Sequence, residues 1–481
     1  MQSLKANIQS MHQSPHPWHS PIHSSDKPLY LAIADAIADD LRGGRLVPGD
    51  RLPAQRALAE ALSLDFTTVA RGYQEAQRRG LIESRIGAGT FVRDAAPAPA
   101  AAPRPEPSVR NAPARRRADF SMNLPPEIED PVLVARMQDG LAEVGRDLID
   151  LLRYQEFGGL PEDRQAGADW LARRGLPVPV DRLLVCAGTH SALQGVLASL
   201  AKAGDVICAE ALTYPGLRGL AAQQGLEVVG LAMDEDGILP DAFEEACRTR
   251  RPKALYCNPT LQNPTTITVP LERRRALLEV ARRHGVAVIE DDAYGALPVD
   301  GPPPLAALAP ELVFYIGGLA KALGAGLRVA YLVVPEARRV WQLSAYLRAT
   351  TVMASPLTLA LATRWIVDGT ADAILDAVRA ESAARQGFAR SILPHAGQRS
   401  KPEAFHFWLR LPPDWSRSSF AATLRGANLG IVVSDAFAVN NPPPEAVRLC
   451  LGGCDAVETR HALEMIAHTL SQPPAFAAAF L

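Results

Sequence analysis

The sequence contains few lysines. Only six of its 50 basic residues are lysine, at positions 5, 27, 202, 253, 321 and 401, and the rest are arginine. Lys321 differs from the others because its neighbours are all small or apolar. A lysine amine can lose its proton and form an imine, which an arginine guanidinium cannot do. Lys321 is therefore a candidate for covalent chemistry, and the alternative is an ordinary surface lysine in a glycine-rich loop.

The chain also has little net charge, no paired cysteine motif and no long apolar run. The net charge is −2, so any binding to nucleic acid requires a local basic patch. Six scattered cysteines without metal-type spacing predict reduced core cysteines in a cytoplasmic protein. No run approaches the roughly 20 apolar residues of a membrane helix, and no apolar signal core is found near the N-terminus. We expect a cytoplasmic protein with no membrane partner.

With 481 residues, the chain is long enough for more than one domain. Composition predicts a disordered tail at residues 1–25, a compact domain at 26–93, a linker at 94–118 and a larger domain at 119–481. Alternating alanine and proline make the linker extended and semi-rigid. Four histidines in the tail lack partners at a fixed spacing, so we predict no metal site. The basic run at 115–117 either assists DNA binding or is simply solvated.

Residues 26–93 have the pattern of a small helical domain with a hairpin. Apolar residues at helical spacing predict a first helix at about 31–41, ended by Gly43-Gly44. Two further helices are expected at about 55–62 and 67–79, with Val69, Tyr73 and Ala76 on the buried side of the latter. A hairpin around Gly87-Ala-Gly89 follows. This order predicts a winged helix-turn-helix.

The same residues resemble the GntR family. The resemblance rests on Pro-Leu-Tyr30, Pro-Gly-Asp-Arg-Leu-Pro53, Gly80-Leu-Ile-Glu and Gly89-Thr-Phe-Val92. It implies that the last helix enters the major groove of double-stranded DNA and that the wing follows the backbone. The implied DNA-binding residues are Arg56, Thr67, Thr68, Arg71, Arg85 and Gly87, although each arginine could instead be a solvated surface charge. Phe66 stands where the family often has a polar or basic residue.

Beyond residue 119, apolar runs and helical stretches alternate, which predicts an α/β fold. Seven runs read as buried strands, at residues 183–186, 206–208, 226–229, 254–257, 286–289, 312–316 and 329–334. Helical stretches at 191–203 and 271–284 lie between some of them. We therefore expect a central sheet of seven strands, with a smaller domain at about 371–481.

The surroundings of Lys321 resemble the lysine loop of fold-type I pyridoxal-phosphate (PLP) enzymes. The family pattern is Ser-x-Ser-Lys followed by Gly-x-Arg. The resemblance implies that Lys321 forms a Schiff base with PLP and that Arg328 binds its phosphate. Gly318 and Ala320 stand at the two serine positions, so two hydroxyl groups are missing.

Other segments resemble further parts of that cofactor site. Gly188, Thr189 and His190 open a helix, and backbone amides at a helix N-terminus favour a phosphate. The resemblance also implies contacts to the cofactor ring. Tyr214 would stack on the ring, and Asn263 and Tyr294 would contact its phenolic oxygen. Asp291, with Asp292 as the near alternative, would keep the ring nitrogen protonated. Thr266 replaces a glycine that is usual in the family.

Two more residues extend the resemblance to substrate binding and assembly. Tyr154 resembles a tyrosine that reaches the phosphate in the other subunit, which implies a homodimer with shared sites. Arg448 matches an arginine that clamps a substrate carboxylate with two hydrogen bonds. The alternative role for Arg448 is a structural ion pair.

A winged helix, a linker and an aminotransferase-like domain form the layout of MocR-type regulators within the GntR family. The resemblance implies a homodimer with PLP at Lys321, whose binding of an amino compound alters binding of operator DNA. A working aminotransferase with the same catalytic residues, Lys321 and Asp291, remains the first alternative. A regulator that has lost PLP is a third reading, disfavoured because the residues of the cofactor site are present.

Overall fold

Residues 28–85, 89–93, 118–393, 400–439 and 442–473 are the part of the chain that the computed structural model describes. The predicted tail at 1–25, most of the predicted linker and Gly87 lie outside it, as does the side chain of Arg85. The chain divides into two compact units between Ala114 and Arg115. That division falls within the alanine- and proline-rich stretch.

The described residues of the first unit form three helices followed by a hairpin. These are α1 (Leu29–Arg42), α2 (Gln55–Leu62), α3 (Phe66–Arg78), β1 (Ile82–Arg85) and β2 (Gly89–Val92). The hairpin is antiparallel and pairs Ile82 with Val92. Val69, Tyr73 and Ala76 are buried, as the helical spacing predicts. The fold predicted for this unit, a winged helix-turn-helix, is confirmed.

Close contact between α1 and α3 depends on a glycine. A Cβ atom added at Gly72 would lie 2.9 Å from the Cβ of Ile33, which is closer than side-chain carbons approach each other. Glycine therefore lets α1 pack directly on the backbone of α3. The start of α3 is capped by Asp65, whose carboxylate accepts a hydrogen bond from the backbone N–H of Thr67 at 2.8 Å.

In the described residues of the second unit, nine strands precede the C-terminal part, and they form a central sheet and a small two-stranded sheet. They are β3 (Leu183–Cys186), β4 (Val206–Glu210), β5 (Glu227–Leu231), β6 (Met233–Asp234), β7 (Gly237–Ile238), β8 (Ala254–Cys257), β9 (Ala287–Asp291), β10 (Val313–Gly318) and β11 (Ala330–Val333). The central sheet has the order β3-β11-β10-β9-β8-β4-β5, whereas β6 and β7 pair with each other. All seven predicted strands are in the central sheet, and the fold-class prediction is confirmed.

Helices surround this sheet in the described chain. They are α4 (Pro131–Val144), α5 (Leu148–Leu151), α6 (Pro161–Ala172), α7 (Thr189–Leu200), α8 (Pro215–Gln223), α9 (Pro240–Arg250), α10 (Leu271–His284), α11 (Leu305–Leu308), α12 (Arg338–Thr351), α13 (Pro356–Val367) and α14 (Thr370–Ile392). Leu255 and Val288 belong to one apolar cluster, whereas Tyr256 and Ile289 belong to another. Side chains alternate along a strand, so both faces of the sheet are buried.

The directions of the strands bring distant residues to one edge. β11 is antiparallel to both of its neighbours, β10 and β3, and the other neighbouring pairs are parallel. The carboxyl ends of β3, β9 and β10 therefore lie at the same edge. Asp291 is the last residue of β9, Gly318 is the last of β10, and Gly188 follows β3. This edge is where open α/β sheets bind ligands.

The C-terminal part forms a smaller sheet covered by helices. Its described elements are β12 (His406–Arg410), α15 (Arg417–Gly426), β13 (Val432–Val433), β14 (Ala446–Cys450) and α16 (Ala456–Leu470). The strand order is β12-β14-β13, and all pairs are antiparallel. Phe120, from the start of the second unit, is fully buried in the apolar core of this part. The beginning of the unit therefore packs with its end.

All six cysteines are free and buried, as predicted for core cysteines. Among the described residues, no helix is long and apolar enough to cross a membrane.

Replacing Gly72 with alanine should destabilise the packing of α1 on α3. The added methyl group would overlap Ile33, and overpacking of this kind costs typically about 1–3 kcal/mol. Hydrogen–deuterium exchange of peptides from α1 and α3 in the full chain would measure the loss of protection. Gln74→Ala, an exposed substitution on the same helix, is the matched control and should leave exchange nearly unchanged. Equal protection in the two variants would contradict the close packing.

Candidate functional site

Lys321 lies in the turn after β10 and is largely buried. Its Nζ donates a hydrogen bond to the backbone carbonyl of Asn123. Burial lowers the pKa of the Lys321 amine to about 8, because the charged form loses hydration. A much larger fraction of this amine is therefore uncharged at neutral pH than in an exposed lysine. The uncharged form is the nucleophile.

The Asp291 carboxylate lies at the end of the neighbouring strand. Its Oδ2 accepts a hydrogen bond of 2.8 Å from the hydroxyl of Tyr256. Its Oδ1 is buried and has no partner among the described residues. Burial raises the pKa of Asp291 to about 6, and the charge of nearby Lys321 opposes this rise. The site thus has a buried acceptor available for a hydrogen-bond donor of a ligand.

The structure separates Asp291 from the near alternative, Asp292. The Asp292 carboxylate is 3.2 Å from Nε of Arg174 and accepts a hydrogen bond of 3.0 Å from the Tyr315 hydroxyl. Consecutive residues at a strand end point to opposite faces. Arg174 and Tyr315 hold Oδ2 of Asp292 on the opposite face, and Asp291 is the carboxylate whose charge acts on Lys321.

An anion-binding arrangement lies at the N-terminus of α7. Gly188 has a φ of 87° and precedes the first helical residue, Thr189. A Cβ atom added at Gly188 would lie 2.8 Å from Nη2 of Arg328, so the guanidinium rests against this backbone. His190 is exposed at this helix end, and the partial loss of hydration of its ring and the charge of Arg328 lower its pKa. The helix N-terminus and the guanidinium both favour a bound phosphate.

Thr189 lies beside Gly318, which stands at one of the two serine positions of the family pattern. A Cβ atom added at Gly318 would lie 2.4 Å from Oγ1 of Thr189. The threonine hydroxyl therefore occupies the volume into which a side chain at position 318 would extend. The glycine at 318 and the threonine at 189 are complementary, and a hydroxyl is present at this point of the site.

Arg448 lies on the central strand of the small sheet and faces the same site. Its Nη1 donates to Oδ1 of Asn263 at 2.8 Å, and its Nη2 donates to the carbonyl of Ser121 at 2.6 Å. Its guanidinium stacks at 5.0 Å from the centre of the Phe437 ring. The partners of Arg448 are neutral, so its charge is uncompensated by these contacts. These two hydrogen bonds therefore do not form the structural ion pair that was the alternative role for Arg448.

Of the three tyrosines predicted for the cofactor site, two lie within this chain's site and one does not. Tyr294 is buried and accepts a hydrogen bond of 2.8 Å from Nδ2 of Asn123. Tyr214 is half-buried beside Gly216, where a Cβ atom would lie 2.3 Å from the tyrosine ring. Burial raises the pKa of both phenols, and the charge of Asp291 adds to each rise. Tyr154, in contrast, is 82% exposed and is not brought into the site of its own chain.

Sequence reasoning missed the segment 119–124, here called the entry segment. Its backbone carbonyls hold Lys321 and Arg448, through Asn123 and Ser121 respectively. Phe120 anchors it, because its N–H donates to Gly430 at 2.8 Å and its carbonyl accepts from Cys450 at 2.9 Å. The segment has no regular secondary structure and therefore no periodic pattern to detect. Its sequence signal is weak: an asparagine between two apolar residues, followed by Pro125-Pro126.

Tyr256 and His406 were also missed. Tyr256 is a polar residue within a fully buried strand, and such a hydroxyl requires a partner, which is Asp291. The imidazole of His406 lies 5.2 Å from the Tyr294 ring, centre to centre. Burial lowers the pKa of His406 to about 3, so its ring is neutral at physiological pH.

Four of the residues predicted to bind DNA lie on α2 and on the first half of α3, namely Arg56, Thr67, Thr68 and Arg71. Thr67 and Arg71 are exposed and Thr68 is half-buried. The Thr67 hydroxyl donates to Asp65, and the Arg71 guanidinium lies 5.0 Å from the centre of the Tyr30 ring. Arg56, from α2, lies 5.8 Å from the centre of the Phe66 ring. Contact of these side chains with DNA stays a prediction, as do the predicted roles of Arg85 and Gly87.

Comparison with known proteins identifies both units. Residues 131–466 match the family "Aminotransferase class I and II", and residues 29–92 match "Bacterial regulatory proteins, gntR family". An uncharacterized HTH-type transcriptional regulator of Bacillus subtilis strain 168, YdeF, is 29% identical over 92% of this chain and 94% of its own length. The probable rhizopine catabolism regulatory protein MocR of Rhizobium meliloti is 28% identical over 65% of this chain and 66% of its own.

The chain belongs to the aminotransferase class I and II family, as a MocR-type regulator. A solved archaeal alanine:glyoxylate aminotransferase superposes on this MocR-type chain with a TM-score of 0.68 and 24% identity, over 74% of the chain and 91% of its own length. That likeness shows a shared fold.

Proteins of the aminotransferase class I and II family depend on PLP, and the residues of this MocR-type chain fit that cofactor. The unpartnered Oδ1 of Asp291 fits a protonated ring nitrogen. The N-terminus of α7 and Arg328 fit a phosphate, and the amine of Lys321, whose pKa burial lowers to about 8, fits an aldehyde. The ring nitrogen, the phosphate and the aldehyde of PLP thus each have a counterpart.

The reaction of Lys321 with the aldehyde of PLP should accelerate with pH around a midpoint near 8. Only the uncharged amine reacts, and burial lowers the pKa of Lys321 to about 8. Between pH 7 and pH 9 the uncharged fraction, and hence the rate, should rise roughly tenfold. Stopped-flow absorbance would follow the reaction, with Lys321→Ala as the control that lacks it. A midpoint above pH 10 would show that the amine is not buried as described.

Gly318→Ser should weaken PLP binding although it restores a serine of the family pattern. The new side chain would collide with Oγ1 of Thr189, and overpacking of about 1–3 kcal/mol corresponds to a loss of about 5- to 150-fold in affinity. Adding Thr189→Ala should recover most of that loss, because the obstructing hydroxyl is removed. Equilibrium dialysis would give the affinities. Independent effects of the two substitutions would contradict the complementarity of these positions.

Proposed function

We propose that this GntR-type regulator senses PLP, or an amino compound that reacts with it, through a covalent bond at Lys321. The observation that carries the proposal is the pair of hydrogen bonds from Lys321 and Arg448 to the entry segment. That segment begins directly after the predicted linker, so whatever engages these two side chains also acts on the point where the chain enters the second unit. We propose that the protein works in the cytoplasm, on operator DNA.

The proposed roles of the other residues follow from their surroundings. PLP supplies an aldehyde that bonds reversibly to amines and a ring that withdraws electrons from the bound amine. Asp291 would hold the proton on the ring nitrogen, and Tyr214 would cover the ring. Asn263 and Tyr294 would hold the phenolic oxygen. The phosphate would be bound by Gly188, Thr189, His190 and Arg328.

Ligand binding would exchange the contacts of the entry segment. A carboxylate on the amino compound would compete with the Ser121 carbonyl for Arg448, because a charged acceptor forms the stronger hydrogen bonds. A covalent bond at Lys321 would replace the ammonium that donates to Asn123. A ligand shifts a conformational equilibrium only through contacts that differ between the states. These two exchanges supply such a difference.

We further propose a homodimer with shared sites. Residues 148–154 expose Leu148, Ile149, Leu152 and Tyr154, with exposures from 42% to 82%. A run of exposed apolar side chains of this kind is typical of protein interfaces. In a dimer, Tyr154 would reach the phosphate of the other subunit rather than that of its own chain.

Aminotransferase activity is the second candidate function. It is favoured by the lowered pKa of Lys321, an amine suited to moving a proton as well as to forming a bond. Incubation with amino acids and a 2-keto acid separates the two functions. Sustained turnover without any effect of substrates on DNA binding would favour the enzyme.

The test of the regulator is binding of the full-length protein to its own upstream DNA at one salt concentration. PLP, and then an amino compound, should each change the affinity by about 5- to 150-fold, the usual range of allosteric coupling. Fluorescence anisotropy would measure the affinity. Specific binding that PLP leaves unchanged would contradict the proposal.

Two variants locate the response. Lys321→Ala should lose the response to both PLP and the amino compound. Arg448→Lys keeps the positive charge but cannot form the paired hydrogen bonds, so it should keep the response to PLP and lose most of the response to a carboxylate-bearing amine. Val457→Ala, an exposed substitution on α16, is the matched control and should keep both responses.

A further inference from the structure

We propose that Phe66 selects a thymine in the operator by contacting its 5-methyl group, and that Arg56 is held in place on the Phe66 ring. The proposal rests on the DNA-binding function of the gntR-family unit and is independent of PLP. The family pattern suggests that a polar or basic side chain at this position contacts a base, whereas we propose an apolar contact.

Phe66 is exposed at the end of α3 that meets DNA in a helix-turn-helix. It is the first residue of the helix, and N-terminal residues of a recognition helix contact base edges. Its side chain is 44% exposed, and it is not one of the residues of the apolar core of this unit. Leu64 and Leu62, close by in sequence, do pack against that core. Packing of the unit therefore does not account for a phenylalanine here.

The first turn of α3 lacks the donors that read guanine. The carboxylate of Asp65 accepts from the backbone N–H of Thr67 at 2.8 Å and from the Thr67 hydroxyl. These hydrogen bonds lower the pKa of Asp65, so it stays charged. The hydroxyl hydrogen of Thr67 is thus already used. Thr68 is half-buried, so the exposed side chain of the first turn that remains for reading a base edge is the Phe66 ring.

An apolar ring in the major groove has one good partner among the bases. Thymine presents a 5-methyl group there, and apolar side chains distinguish it from the polar edges of the other bases. Guanine, by contrast, is read by paired hydrogen bonds from an arginine. Phenylalanine in place of a polar or basic residue therefore predicts a preference for thymine.

Arg56 connects this contact to the DNA backbone. Its guanidinium lies 5.8 Å from the centre of the Phe66 ring, within the range of a cation–π interaction. Arg56 is exposed on α2, where it can reach a phosphate. The ring thus orients a phosphate contact while its edge reads a base, and the two contributions differ in their dependence on sequence and salt.

The experiment begins with selection of binding sites from a random DNA library by the full-length protein, with and without PLP. Each thymine in the selected site is then replaced by uracil, which lacks only the methyl group. One thymine in each half-site should respond, with a loss of about three- to fivefold in affinity, as expected for one buried methyl group. 5-Methylcytosine should bind more tightly than cytosine at the same position by a similar factor.

Variants assign the methyl contact to Phe66. Phe66→Ala should bind thymine and uracil equally at that position, Phe66→Leu should keep the preference, and Phe66→Arg should shift it to guanine. Arg56→Ala should weaken binding to all sequences alike and reduce its salt dependence. Phe66→Leu also shows that a variant with a smaller side chain still folds and binds. The proposal is overturned if no thymine responds to uracil, or if Phe66→Ala keeps the response.

Discussion

Two ionisable groups of the second unit are removed from water at one site. The surrounding structure has to compensate for their lost hydration. The amine of Lys321 and the carboxylate of Asp291 are both driven towards their neutral forms, with pKa values of about 8 and about 6. Buried polar groups persist only where hydrogen bonds replace hydration. Asn123 supplies an acceptor for the amine, and Tyr256 supplies a donor for the carboxylate. Oδ1 of Asp291 has no hydrogen-bond donor among the described residues, and a cationic ligand could supply one.

Meeting this constraint requires distant parts of the chain. The parallel strands carry Asp291 and the lysine loop to one edge of the sheet, and β14 brings Arg448 from the small sheet. The entry segment joins them, because its carbonyls accept hydrogen bonds from both Lys321 and Arg448. Binding chemistry, the small sheet and the path of the chain are thereby coupled in one network of hydrogen bonds.

The sequence was most informative where local pattern and tertiary structure agree. Strands such as β8 and β9 are buried on both faces, so they appear as continuous apolar runs. Residues at their ends could be selected by type and spacing. The choice between Asp291 and Asp292 could not be made, since it depends on which face each side chain occupies. Ser121 and Asn123 act through backbone carbonyls, which every residue has.

Gly318 shows why residue identity at one position can mislead. Considered alone, it is the loss of a hydroxyl from the phosphate site. In the fold, Oγ1 of Thr189 fills the volume beside it. Gly318 ends β10 and Thr189 begins the helix after β3, and only the sheet brings the two residues together. Compensation of this kind cannot be detected by examining one motif at a time.

Burial of Phe120 has a practical consequence for work on isolated fragments. The aminotransferase family match begins at residue 131, and a fragment cut there would omit the entry segment. Its small sheet would contain a cavity the size of a phenylalanine side chain, a defect of about 3–5 kcal/mol. Lys321 and Arg448 would also lose the carbonyls that hold them. Such a fragment would report the cofactor affinity of an altered pocket, so a faithful fragment has to begin at or before residue 118.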